Sequence, residues 1–307
     1  MASSSSVEAE NPCHVLSTSM PSRSHPLFLA IKEEITRLKA CMLLSPSAPT
    51  LTAKIICNGL SGLKCLYNNV EDLLQLPLSQ KIFPNSQHHK WMEDMLDESV
   101  RLLDVCYTER NVLLQIKGNV NEFQSTLRRR CGELCLESSV KNYLSSRKKT
   151  EKDTCKCFRD LKRTDNKTAF PALLKQDELL SKVVNTLKDV MSITTTILQA
   201  ILSFLSVSRT TKKVSKLLLV SNLMHKGDIG PMKKDMKEVN ELERVDTALL
   251  YLTKKIYSKD SETEKMQKAQ ARLEALVNGI DCLEAGLESM HRCMITSRVS
   301  LLNILAH

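Results

Sequence analysis

The chain has few of the residues from which sheets and tight loops are built. Aromatic residues make up 4% of its 307 positions, with a single Trp, and there are only eight Gly. Strands favour aromatic and β-branched side chains and are joined by Gly-rich turns, so this scarcity argues against a sandwich or barrel. The nine Pro fall at 12, 21, 26, 46, 49, 77, 84, 171 and 231. Because Pro breaks helix interiors, the long Pro-free intervals are where long helices fit. Catalytic signatures are missing as well: there is no Gly-rich phosphate loop, no nucleophile elbow and no His-Glu-x-x-His. The acidic pairs Glu71-Asp72 and Glu93-Asp94 are adjacent in sequence. On a helix such neighbours diverge by about 100°, so they read as surface charge rather than a general acid and base. Cys131 with Cys135, Cys155 with Cys157, and His88-His89 do not make up a tetrahedral metal set, since no Cys-x-x-Cys pair accompanies them. No catalytic residue, cofactor or metal is expected.

Met1 to Ser6 has no basic region followed by an apolar core, so no secretory signal is expected. The eleven Cys are odd in number, and several (Cys57, Cys65, Cys106, Cys282) sit at apolar positions of helical patterns. Free Cys there acts as a small hydrophobe, which fits a reducing interior: the cytoplasm, or the periphery of a membrane.

What the chain does have is a long heptad seam. Leu273, Leu276, Ile280, Leu283, Leu287, Met290 and Met294 alternate steps of three and four, and Leu301 and Ile304 continue the series beyond a break at Ser297. Only a helix puts such residues on one stripe, and this one spans about 48 Å at 1.5 Å per residue. Further helices are predicted at 27–44, at 51–76 with Leu60, Leu63, Tyr67, Val70 and Leu74 on one face, and after Pro84 to about Lys117. The last of these carries Met92, Leu96, Val100, Leu103 and Tyr107 as its stripe. A charged helix over 119–161 follows, with Gly132 its weak point. Another begins at Pro171 and reaches about Val207, with Asp177 and Glu178 at its positive end. Val239, Leu242, Leu249, Leu252 and Ile256 mark a helix before the heptad segment. Val190 to Ser208 carries no charge and approaches the length of a membrane span. Its apolar residues lie on one side, which reads as a core helix. Residues 1–24, rich in Ser, are expected to be a disordered tail, and 25–307 a single all-α domain, an elongated antiparallel bundle.

The net charge of +9 is concentrated: between Arg128 and Lys167 thirteen Lys and Arg face six acids. The triplets Arg128-Arg129-Arg130 and Arg147-Lys148-Lys149 form a candidate patch for an anionic surface, with a solvated helix face as the plain alternative. On one continuous helix their centres, nineteen residues apart, would lie about 28 Å from each other. Nucleic acid is disfavoured as the partner, since only Tyr143 and Phe158 are at hand to stack on bases.

Six blocks, in order, resemble one plant-specific family. They are Met20-Pro-Ser-Arg-Ser-His-Pro-Leu27, Leu66-Tyr-Asn-Asn-Val-Glu-Asp-Leu-Leu-Gln-Leu-Pro77, Leu96-Asp-Glu-Ser-Val-Arg-Leu-Leu-Asp-Val-Cys106, Phe123-Gln-Ser-Thr-Leu-Arg-Arg-Arg130, Val140-Lys-Asn-Tyr-Leu-Ser-Ser-Arg-Lys-Lys149 and Ser297-Arg-Val-Ser-Leu-Leu-Asn-Ile-Leu-Ala-His307. Together they resemble the BYPASS-related family, named for a protein whose loss disturbs root and shoot development. The resemblance implies a helical, non-enzymatic, intracellular interaction or regulatory protein. It supplies no catalytic residue, and it leaves the protein partner unnamed and the oligomeric state open. The alternative reading is a peripheral adaptor whose basic helix docks on anionic lipid.

Overall fold

The computed structural model describes residues 25–42, 51–82, 89–129, 133–162, 178–206, 239–252 and 262–306. The expected tail over 1–24 lies outside them. All regular structure among the described residues is helical: α1 (Pro26–Met42), α2 (Ala53–Gln75), α3 (Pro77–Ile82), α4 (His89–Arg128), α5 (Glu133–Lys162), α6 (Glu178–Leu205), α7 (Glu241–Leu252) and α8 (Glu262–Ala306). Pro26 and Pro77 open α1 and α3 at the first helical position, where the missing N–H has no intrahelical acceptor to lose. α2 begins at a true cap. The Thr52 hydroxyl accepts from the Ile55 N–H at 3.4 Å, and the Glu241 carboxylate, from α7, accepts from the Ala53 N–H at 3.3 Å. Two orphan donors of the first turn are thereby satisfied.

α8 is the spine. Its 45 residues would extend about 67 Å. The seam from Leu273 to Ile304 is buried throughout, including Ser297, the one polar member. The largest helix contacts are those of α2 and α4 with α8. α4 runs antiparallel to α8: Arg298 hydrogen-bonds Ser99 at 2.7 Å near one end, and Lys117 pairs with Asp281 at 2.6 Å near the other. α2 runs parallel to it, with Ala53 beside Gly279, Leu60 beside Gly286, and Glu71 accepting from Ser300 at 2.5 Å. The two glycines permit that approach. A Cβ at Gly279 would lie 3.0 Å from the Ala53 Cβ, and one at Gly286 3.1 Å from the Leu60 Cβ. Directly connected neighbours form antiparallel hairpins: α1 with α2, where Met42 reaches Gly59 and Leu38 reaches Gly62, and α4 with α5, where Phe123 meets Tyr143.

The sequence expectations need correction within α4. A boundary was expected between Lys117 and Asn119, but α4 continues unbroken to Arg128. One exposed Gly costs about 1 kcal/mol in a helix, and Gly118 faces open space. Burial of Ile116, Val120 and Phe123 on either side offsets that cost. The stripe predicted for this helix is also displaced. Met92 and Leu96 are buried, but Val100 is exposed and Tyr107 is 62% exposed. The buried seam runs instead through Leu102, Cys106, Glu109, Leu113, Ile116, Val120, Phe123 and Leu127. It prevails because its spacing of three and four carries apolar residues to the helix end, whereas the other stripe is no longer apolar at Arg110. Cys65 and Cys282, read as small hydrophobes, are exposed.

α6 is buried along Val190, Ile193, Ile197, Ile201, Phe204 and Leu205. Within it the hydroxyls of Thr194 and Thr195 donate back to the carbonyls of Val190 and Met191 at 2.8 and 2.9 Å. Because the Thr194 hydroxyl is so engaged, Tyr67, 3.1 Å away on α2, donates to it. Burial pushes the Tyr67 phenol up to about 12. Among the described residues no helix is long and apolar enough to cross a membrane. The predicted start at Pro171 and the position Ile256 lie outside the described residues.

Candidate functional site

The basic residues proposed as one surface do not share one fate. Arg128 and Arg129 are exposed at the end of α4, and Lys148 and Lys149 are exposed on α5. Arg130 lies outside the described residues. The helices carrying the two groups fold back on each other, so the separation of about 28 Å along a continuous helix does not apply. Phe123 facing Tyr143 and Thr126 facing Ser139 set the register. That register puts Lys148 opposite Gly118, which leaves the two exposed pairs about 15 Å apart along neighbouring helices.

Arg147 leaves the patch altogether: it is 2% exposed. Its Nε donates to both Asp246 oxygens, at 3.4 and 3.3 Å, and its Nη2 to Oδ2 at 3.3 Å. Nη1 donates to the Leu205 carbonyl at 3.4 Å and approaches Thr150 Oγ1 at 3.5 Å. Tyr143, one turn before on α5, donates to Asp246 Oδ1 at 2.8 Å. The Leu205 carbonyl is one of those left open at the end of α6, so the guanidinium sits at the negative end of that helix dipole. Asn240 completes the joint. Its Oδ1 accepts from the Glu243 N–H at 2.8 Å, capping α7, and its Nδ2 donates to the Phe204 carbonyl at 3.0 Å. This polar centre therefore fastens α5, α6 and α7 together. Burial, the largest single influence, would lower the Arg147 pKa, but the Asp246 charge, the Tyr143 phenol and the hydrogen bonds to Asp246 together outweigh it, and the net shift is upward. Burial, and then the Asp246 charge, hold the Tyr143 phenol well above its ordinary range.

Helix phase carried the signal for this. Val140, Tyr143, Arg147, Thr150, Thr154, Cys157 and Leu161 recur at alternating steps of three and four, and all are buried. Arg147 lies on the seam of α5, while Lys148 and Lys149 lie off it.

Glu109 is, beside Arg147, a second charged residue on a seam. It is fully buried, and neither carboxyl oxygen has a hydrogen-bond partner among the described residues. Cys106, one turn away, and Cys157 on α5 are close enough for its charge to raise their thiol pKa values, after burial as the main cause. Burial raises the Glu109 pKa well above the ordinary glutamate range. The folded chain then holds a proton that the unfolded chain has released, so this group's contribution is intact in acid and is lost as pH rises towards the folded-state value. Glu109→Gln should match wild-type stability near pH 4. Above the ordinary glutamate range it should gain about 1.4 kcal/mol of relative stability per pH unit, until the folded-state pKa is passed. Thermal melts of both proteins from pH 4 to 8 check this, and parallel curves would contradict it.

Among the described residues no three His, Cys, Asp or Glu side chains are grouped as metal ligands. The blocks that carry the family resemblance do come together. From the terminal block, Ser300 bonds Glu71, and Arg298 donates to the Leu96 carbonyl and to Ser99. Beside them lies an open groove of about 610 Å³ lined by Leu74, Gln75, Pro77, Gln80, Lys81, Ser300, Asn303 and Ile304. Its polar groups are amides, a hydroxyl and one ammonium, suited to hydrogen-bonding a surface rather than to proton abstraction.

Comparison with curated proteins and with solved structures finds no match. The family model described as Protein BPS1 matches residues 59–304, which takes in four of the six blocks whole and most of the terminal one. With most of the sequence inside that match, the chain belongs to the BYPASS-related family.

Proposed function

We propose that this is a non-enzymatic plant regulatory protein that acts through protein contacts, inside the cell, in root and shoot development. The observation that carries the reading is the family match over residues 59–304. Physical features favour it over catalysis. The buried ion pair of Arg147 and Asp246 is self-neutralising and ties helices together. The open groove offers hydrogen-bonding groups without a paired acid and base. Disrupting the gene should alter both root and shoot growth, and the full chain should restore them. Normal growth of both organs without the gene would overturn the developmental role.

A second reading, docking on anionic lipid at a membrane periphery, is favoured by the exposure of Arg128, Arg129, Lys148 and Lys149 on adjoining helices. Arg147 has to be left in place in any test, since removing it breaks the core. Each basic residue near an acidic membrane contributes about 1 kcal/mol, so changing these four to Gln should weaken binding to phosphatidylserine vesicles roughly a hundredfold or more at low salt. Gln keeps helix propensity close to that of Lys and Arg, so circular dichroism should be unchanged. Equal sedimentation of both proteins with vesicles would reduce these residues to a solvated face.

A further inference from the structure

The close contact between α2 and α8 holds a pair of thiols. α2 and α8 run parallel, and they approach at two points in the same register: Ala53 with Gly279 and Leu60 with Gly286. Cys57 lies four residues after the first contact on α2, and Cys282 three residues after it on α8. Both therefore fall between the two contacts, on the facing stripes. Cβ separations at the flanking points would be 3.0 and 3.1 Å were the glycines to carry one. A disulfide needs Cβ atoms about 3.5–4.5 Å apart. Cys282 is near enough to add, after burial, to the upward shift of the Cys57 thiol pKa. Both are free, Cys57 buried and Cys282 exposed.

We propose that Cys57 and Cys282 are a redox modification site, joined by a reversible disulfide that clasps α2 to α8 when the chain meets peroxide. The exposed Cys282 thiolate attacks one oxygen of hydrogen peroxide. The O–O bond breaks, leaving a sulfenic acid on Cys282 and releasing water once the departing oxygen takes up a proton. The Cys57 sulfur then attacks the Cys282 sulfur. The S–S bond forms, the S–O bond breaks, and the Cys57 proton leaves with the hydroxyl as a second water. Two thiols are oxidised by two electrons in all, and the peroxide is reduced by the same two. Burial is the main reason the Cys57 thiol is held above its ordinary range, and it leaves Cys282 as the sulfur that meets the oxidant first. The closed loop takes in most of the chain, so the bond constrains the unfolded state strongly. In a reducing compartment, thiol exchange reopens it.

The test uses the full chain, purified reduced, treated with hydrogen peroxide and mapped by mass spectrometry without reductant. A peptide joining Cys57 to Cys282 is expected as the dominant cross-link, released by dithiothreitol. Tm should rise by about 5–10 °C on oxidation. Cys282→Ser should lose both the cross-link and the rise. It replaces an exposed residue, and its reduced melt checks that the fold is intact. Cys65→Ser, also exposed and also on α2, should keep both. Sulfinic acid at Cys282 without a cross-link, or cross-links dominated by other cysteines, would overturn the proposal.

Discussion

Leu283→Asp should unfold the chain at ambient temperature or bring it close to unfolding, and Leu287→Asp should do the same. Both side chains are fully buried in the seam of α8, the helix against which α2, α4 and α7 all pack. A carboxylate there would lie within the hydrophobic core. Burying a charge without a partner costs several kcal/mol at least, while a typical domain is stable by about 5–15 kcal/mol in total. Leu302→Asp is the matched control, since Leu302 lies on the same helix and is exposed. Its cost should stay within about 0.5 kcal/mol. Circular dichroism melts compare the three directly. An unchanged midpoint for Leu283→Asp would mean that the seam is not the core.

The second large effect belongs to Asp246. Asp246→Asn leaves the Arg147 guanidinium buried at 2% exposure without its counter-charge, and it weakens the acceptor that Tyr143 uses. Removing one partner of such a pair typically costs 3–5 kcal/mol, about 3 being the low end. Most of that is the penalty on the charge left behind, so changing both partners should cost far less. Arg147→Met combined with Asp246→Leu should recover the greater part of the loss seen with either single change. The Leu205 carbonyl would then lack its donor, which keeps the recovery incomplete. Denaturant unfolding of the two singles and the double closes the cycle. A single variant within about 1 kcal/mol of wild type would show that the centre contributes little to the fold.

These two sites show how far the sequence could be read. The α8 seam, the α2 face and the one-sided α6 were legible because apolar residues repeat at steps of three and four with almost no competing stripe. On α4 two stripes compete after Leu96, and the local pattern through Val100 and Tyr107 favoured the exposed one. Only the run from Val120 to Leu127, beyond the supposed boundary, decides between them. Arg147 was misplaced for a different reason. Composition groups it with Lys148 and Lys149, but helix phase separates it from them and puts it in line with Tyr143 and Thr150. Its partner, Asp246, is ninety-nine residues away, and no local pattern relates the two. Glu109 is likewise a charged residue in seam phase, which composition alone does not single out. The parallel pairing of α2 with α8 was beyond reach, because it depends on connections between helices that are distant in sequence.

The account holds that the folded helical body acts through contacts with other proteins. Proximity labelling in root tissue tests this most directly, with a labelling enzyme fused to the full chain or to its Leu283→Asp variant at matched abundance. The account predicts a reproducible set of proteins labelled by the wild-type fusion and lost with the variant, whose helical surface is disrupted. Identical labelling by the two fusions would contradict it.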